Sequence, residues 1–437
     1  MARSSPITTA TELPVTGPAV SDILDPGLAM AGRPRIEWAR RAMPVLRLLT
    51  EAVSGQQPFG GLTVAACLNV TAETAGLVRL VTAGGGRVRL AASNPLSTQD
   101  DIAAALAAEP GVSVYARSGA DRSAYYEHIH RALDEAPDLV IDDGGDLTNT
   151  LHEERPELLA RVRGGCESTA SGVARLRRMA AAGSLAFPVV AADASTTRRM
   201  IDHKYGTGQS VIDGVIRATN TLLAGKAVVV AGFGPCGSGI AERARGLGAQ
   251  VIVTEVDPVR ALEAVMQGYR VLPMFAAAPV GELFITATGS RDVIGPAHLE
   301  VMRDGAILAN AGHFDVEIDV RELDRLAVEV NPAVRPQADE YVLADGRRLI
   351  LLAEGRVVNL VAAEGNPAAV MDVSFGVQAL ALAWLASGEA RPAAGVHKVP
   401  AAIDTQVAGL TLAALGTDID TLTPAQQQYL DSWRQGS

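Results

Sequence analysis

The stretch "AGFGPCGSG" (231–239) follows the β-branched run "KAVVV" and leads into "IAERARGLGA". Gly232, Gly234 and Gly237 give a G-x-G-x-x-G spacing. Glu255 ends the next apolar run, 23 residues after Gly232. A strand, a glycine turn and a helix in this order form a phosphate cradle. The first glycine permits the tight turn, the second lets backbone approach a pyrophosphate, and the third lets the helix pack on the strand. An acid at the end of the second strand accepts hydrogen bonds from a ribose diol and repels a 2′-phosphate, so the pattern points to NAD rather than NADP. The alternative is a purely structural turn. Pro235 removes one backbone N–H from the loop. Hydride chemistry also needs groups that move protons. Asp143 in "DDGGDLTN" follows a strand end and a glycine turn, where a carboxylate projects into a cleft. Asp202 and His203 stand side by side, and a histidine titrates near neutral pH.

Around these residues the chain repeats a βαβα rhythm. "GLTVAACLNV", "RVRLAAS" and "DLVIDDGGD" read as strands. "TAETAGLVRLVTAGG" and "QDDIAAALAAEPG" read as helices, and segment 36–55 has one helical period. A second unit starts near 209 with the helix "QSVIDGVIRATNTLLAGK", then the glycine turn, "QVIVTEVD", "LFITATG" and "GAILANAGHF". This implies two doubly wound parallel sheets with helices on both faces, joined at a hinge near "DASTT".

Composition narrows the chemistry. Of 437 residues, 48% are apolar and 20% charged, enough for sizeable cores in two or three domains. A net charge of −11 argues against a nucleic-acid partner. No run approaches the roughly 20 apolar residues of a membrane span. The opening "MARSSPITTATELPVTGPAV" has no basic start before an apolar run, so no signal peptide is expected, and it reads as loose chain. Three scattered cysteines fit free thiols in a cytoplasm. There is no C-x-x-C, and His128 and His130 fall on different sides of a helix, so no metal is expected.

Several stretches together resemble the S-adenosylhomocysteine hydrolase family: "STQDDIAAAL", "IDDGGDLTN", "SVIDGVIRATN", the glycine turn with "VTEVDPVRALEA", "GHFDVEID", "LAEGRVVNL" and the pattern around "VMDVSF". The likeness runs from about residue 25 to 431. It implies a substrate domain from 1–193 plus 366–400, an inserted NAD domain at 209–364, and a C-terminal segment at 401–437. It also implies a cycle. Bound NAD⁺ oxidises the nucleoside 3′-hydroxyl, the ketone acidifies C4′–H, the C5′ group leaves by elimination, water adds, and NADH restores the hydroxyl. Cofactor contacts are implied at Thr169, Ser171, Thr288, Gly312 and Asn359, and base contacts at Thr71, Glu73 and Gln99 between apolar walls from Met371 and Phe375.

The chain departs from the family where protons move. Asn69 and Asn366 stand where the family has histidines, and Ser168 where it has a glutamate. Arg198 replaces the active-site lysine, His203 an asparagine and Thr207 a cysteine. Asp143, Asp202 and His313 match. Arginine, with a pKa above about 12, does not act as a base. His203 is therefore expected to take the hydroxyl proton, with Arg198 anchoring a hydroxyl or a carboxylate such as Asp202. On an α-helix Arg198 and His203 would lie well apart in angle. The family tail reaches a neighbouring subunit's NAD, whereas "QQQYLDSWRQGS" stops short, so looser NAD is expected. The reading is an adenine-nucleoside enzyme whose cycle ends in net dehydration to an unsaturated nucleoside. Ordinary S-adenosylhomocysteine hydrolysis and epimerisation are the alternatives, and a non-catalytic NAD-binding regulatory subunit is the alternative of another class. A homodimer or homotetramer is expected.

Overall fold

The structure is a computed structural model that describes residues 21–388 and 392–433. The opening stretch expected to be loose lies outside the described residues. Seven strands come first: β1 (Asp22–Ile23), β2 (Thr63–Leu68), β3 (Arg87–Ala92), β4 (Val112–Ala116), β5 (Leu139–Asp142), β6 (Gly164–Glu167) and β7 (Pro188–Ala191). Eight follow: β8 (Ala227–Ala231), β9 (Gln250–Thr254), β10 (Arg270–Val271), β11 (Leu283–Thr286), β12 (Ala306–Asn310), β13 (Ala327–Arg335), β14 (Ala338–Leu343) and β15 (Arg348–Leu352). The last is β16 (Gly395–Lys398).

The first sheet is parallel throughout and runs β1-β4-β3-β2-β5-β6-β7-β16. Its central strands read as continuous apolar runs because helices cover both faces, and every residue of β2 is buried. Strand order reverses between β2 and β5. In an open α/β sheet the strand C-termini at such a point part and leave a crevice. The second sheet runs β10-β9-β8-β11-β12-β15-β14-β13, with its reversal between β8 and β11.

Four expectations need correction. The second sheet is mixed: β14 pairs antiparallel with both β15 and β13, because the chain turns back at Gly346 (φ +85°) after β14 and at Gln337 (φ +62°) before it. The helical period at 36–55 is two helices, Ala29–Arg41 and Pro44–Gln56, with Pro44 opening the second. The helix expected to run on to Lys226 ends at Thr219, where Asn220 adopts φ +52°. One helix, Ala368–Ser387, is long and apolar enough to cross a membrane after all, but 61% of it is buried inside the protein. It is a core helix, and its Asp372 carboxylate turns inward to cap the helix at Pro44, accepting from Val45 N at 2.8 Å and Leu46 N at 2.7 Å.

Candidate active site

The C-terminal ends of the two sheets face one cavity of about 440 Å³. One wall is made by the residues just past β2, β5 and β6, which are Asn69, Asp143 and Ser168. Sheet register puts them side by side. The Ser168 hydroxyl donates to Asp143 Oδ1, and Asn69 Nδ2 donates to Asp143 Oδ2 at 3.4 Å. Burial pushes the Asp143 carboxyl up, while the Ser168 hydroxyl, Arg198 and His313 pull it back. Opposite, His313 lies against Gly144: a Cβ there would sit 2.6 Å from the imidazole Nε2, and Gly144 has φ +104°. Glycine is required at 144 on both counts.

A second wall comes from the crossover between the sheets. Residues 199–207 are wound as a π-helix, not the α-helix assumed for the Arg198–His203 spacing. Single π-turns often mark functional sites, because the wider winding re-aims side chains. Asp202 and His203 both reach the cavity from this segment. Arg198 Nε donates to Asp202 Oδ2 at 2.9 Å and to Ser374 Oγ at 3.2 Å, and its Nη1 donates to the Ser168 carbonyl. The anchoring of Asp202 by Arg198 is thus observed. Asp202 also accepts from Asn366 Nδ2 at 2.5 Å and from the Ser374 hydroxyl. Burial works to raise its carboxyl, but Arg198 and then His203 hold it below the ordinary range. A polar chain continues from Asn366 through Ser210 to Asn359, with links of 2.7 and 3.0 Å.

Thr71, Glu73, Met371 and Phe375 also line the cavity, and burial pushes the Glu73 carboxyl up. Gln99 is not brought there. Arg35 binds Asp101 with one arm of its guanidinium and draws Gln99 Oε1 to the other at 2.9 Å. Among the described residues no group of His, Cys, Asp and Glu could hold a metal ion.

The glycine loop fits a dinucleotide. Gly232 has φ +92°. A Cβ on Gly237 would lie 1.8 Å from the Gly232 carbonyl, so helix and strand pack through it. Beside Gly234 only Arg260 Nη1 comes near, at 3.5 Å, which leaves room for a pyrophosphate. Pro235 takes the first helical position, where its missing N–H costs no intrahelical bond. Gly232, Gly237 and Glu255 do not line the main cavity, whereas Gly234, Thr169, Ser171, Thr288, Gly312 and Asn359 do. Glu255 accepts from Phe233 N at 2.6 Å and Val256 N at 2.7 Å. Burial raises its carboxyl, but these backbone donors and Asp257 N outweigh it and keep the group ionised. Gly234→Val should fold, because the position is open, yet purify without NAD. Absorbance and mass analysis of released cofactor check this, and full occupancy would contradict the cradle.

Sequence reasoning missed three acids. Glu167 accepts from Gly144 N at 3.1 Å, Thr169 N at 2.7 Å and Thr169 Oγ1 at 2.8 Å, so it ties together the turns after β5 and β6 on the first wall. Burial, then Asp142 and Asp143, push its carboxyl well up. Glu317 accepts from Thr288 N and Gly289 N at 3.0 and 2.8 Å. Asp193 lies against His203 at 3.4 Å. Glu317 and Asp193 sit inside stretches already singled out, and Glu167 adjoins Ser168. Their own signal was only that an acid between apolar strand residues needs donors.

Two Rossmann-like sheets with their switch points facing one cavity define a dinucleotide-dependent enzyme fold with a separate substrate-side sheet. The profile of "S-adenosyl-L-homocysteine hydrolase" matches residues 20–158, and that of "S-adenosyl-L-homocysteine hydrolase, NAD binding domain" matches residues 203–365. The adenosylhomocysteinase of Thermosynechococcus vestitus is 51% identical over 420 residues, covering 96% of this chain and 98% of that protein. That of Aquifex aeolicus is 53% identical over 416 residues, covering 95% and 99%. The S-inosyl-L-homocysteine hydrolase of Methanopyrus kandleri is 50% identical over 415 residues, covering 95% and 98%. The chain belongs to the S-adenosyl-L-homocysteine hydrolase family, and its cofactor is NAD.

Proposed function

We propose that the protein acts on a purine nucleoside carrying a leaving group on C5′, by transient oxidation of a sugar hydroxyl, elimination, addition and re-reduction. The names of the relatives support hydrolysis of an S-nucleosyl-homocysteine thioether more directly than net dehydration, so hydrolysis is the first reading. The observation that carries the cycle is the single cavity onto which both switch points open. Bound NAD supplies a hydride acceptor that is later the donor.

The residues present would do the rest. Asp143, between Ser168 and Asn69, holds or moves a proton at the sugar. His313 packs over Gly144 beside it. Burial lowers its basicity more than Asp143 raises it, so it is neutral and able to accept. Asp202, ionised and fixed by Arg198, orients hydroxyls. Thr71 and Glu73 would meet the base edge, and Met371 and Phe375 its faces. A relative that takes an inosyl compound leaves the base open between adenine and hypoxanthine. A cytoplasmic homodimer or homotetramer, with neither nucleic acid nor membrane as partner, belongs to the same proposal.

Net dehydration is kept as a second reading because of Asn69. It stands one residue past β2, hydrogen-bonded to Asp143 and Ser97, and cannot give or take a proton. Loss of a proton-transfer group there would weaken water activation and protonation of a departing thiolate. The test is to incubate the NAD-loaded protein with S-adenosylhomocysteine, S-inosylhomocysteine and a panel of adenine nucleosides, and to weigh the products. Homocysteine released together with the nucleoside bearing a 5′-hydroxyl supports the first reading, and a nucleoside product lighter than that by one water supports the second. An isomer of unchanged mass means epimerisation. No product and no NADH transient with any compound means a regulatory NAD-binding protein and overturns the proposal.

A further inference from the structure

We propose that Asp193 and His203 form a dyad, in which Asp193 holds the imidazole by Nε2 so that Nδ1 takes the proton of the sugar hydroxyl. The inference rests on the function proposed above. It is carried by a buried carboxylate with one partner. Asp193 lies in the short turn Ala192–Ala194 just past β7 and is 6% exposed. Among the described residues its carboxylate has no hydrogen-bond or ion-pair partner except His203 Nε2, at 3.4 Å. A buried carboxylate is retained only where something answers its charge. Here that is a ring that can carry one positive charge. Both residues line the cavity, and Nδ1 of His203 makes no hydrogen bond among the described residues.

The other candidates are committed to partners or stand on the other wall. No lysine lines the cavity among the described residues, and Arg198 and Arg199 cannot release a proton at neutral pH. Asp202 has both oxygens engaged, by Arg198, Ser374 and Asn366. Asp143 is tied to Ser168 and Asn69 on the wall past β2, β5 and β6. His313 belongs to that wall too, stacked over Gly144. His203 is left free on the crossover wall.

The step balances. The hydroxyl O–H bond breaks and its proton goes to Nδ1. The hydride on the same carbon goes to NAD⁺, and the carbinol becomes a ketone. In the closing reduction the hydride returns and His203 gives the proton back. In between, the imidazolium faces Asp193, whose orientation fixes the proton on Nε2 in the resting ring. Burial is the largest influence on His203 and makes it less basic than usual. Asp202 and Asp193 oppose this, while Arg198 and Arg199 add to it. The ring is therefore neutral and accepting near pH 7.

The test uses NAD-loaded full-length protein and two variants, Asp193→Asn and His203→Asn. The first readout needs no turnover. The ring proton signal of His203, identified by its absence in His203→Asn, is titrated by NMR. Removing the Asp193 charge should move its midpoint to lower pH in Asp193→Asn. The second readout is NADH formation in a single turnover as a function of pH. His203→Asn should slow it by roughly 10²–10⁴-fold and abolish its acid limb. Asp193→Asn should slow it by up to roughly 10⁴-fold, the loss when an orienting carboxylate is neutralised, and shift that limb downward. An unchanged midpoint and an unchanged pH profile in Asp193→Asn overturn the dyad. An unchanged rate in His203→Asn removes His203 as the base. If the unsubstituted protein forms no NADH with any nucleoside, the proposed function fails instead, and the NMR titration still judges the pairing.

Discussion

Asp143→Asn should lower turnover by roughly 10²–10⁴-fold while NAD stays bound and the fold is kept. The asparagine is isosteric and can still accept from Ser168, so the wall should not collapse. What it loses is the ability to hold or move a proton in the cavity. The backbone N–H of Asp143 donates to the Cys67 carbonyl at 3.0 Å, which pins the residue to the end of β2. The side chain is therefore aimed by the sheet and not by a flexible loop. Burial raises its carboxyl above the usual value, so loss of activity on acidification should begin above the ordinary aspartate range near 3.8. The part of the acid limb that Asp143 sets should vanish in the variant's residual rate, leaving that of His203. The measurement is steady-state product formation against pH, with bound NAD quantified in parallel. A variant within a few-fold of the unsubstituted rate would make Asp143 a turn-stabilising residue and remove it from the mechanism.

Arg198→Met should cost stability rather than simply activity, by about 3–5 kcal/mol, because it leaves the Asp202 charge buried without its cation. Arg198 is 7% and Asp202 4% exposed. The guanidinium also ties β6 to the crossover through the Ser168 carbonyl, and to the core helix through Ser374. Asn366 and Ser374 alone cannot answer a full negative charge. The double variant Arg198→Met with Asp202→Asn should recover much of the loss, since it removes both charges together. The pH dependence has a definite sign. The folded-state carboxyl of Asp202 lies below its ordinary value of 3.8. Its contribution is therefore full above that value and disappears as pH falls through the folded value beneath it. Acid unfolding of the unsubstituted protein should be steeper in that window than that of the double variant. Urea melts across pH check both points, and equal stability of Arg198→Met and the unsubstituted chain would show the pair to be energetically idle.

Local pattern made much of the fold readable. The β-branched runs before Asn69, Asp143 and Gly232 are strands because residues buried on both faces leave no polar alternation, and each glycine turn marks the point where a strand hands over to a helix. The antiparallel edge strands β13 and β14 were missed, since a strand as exposed as β13 carries weaker apolar patterning than central ones. The break at Pro44 was missed because helical period continues across it. Gln99 was placed in the site by the family resemblance, but Arg35, 64 positions away, decides where it points.

The sequence by itself determined the two sheets, the dinucleotide cradle and the residue types at the strand ends, because those depend on spacing within one strand, turn and helix. Only the tertiary structure decided which groups are free to react. Whether an acid, a histidine or an arginine is a reagent or a scaffold depends on partners that sequence distance does not reveal. Asp202 is taken by Arg198, Ser374 and Asn366, and Glu167 by Gly144 and Thr169. Asp193 is left facing His203 because β7 and the π-wound crossover end at the same cavity wall. Burial then sets protonation, since a charge away from water persists only where another group compensates it.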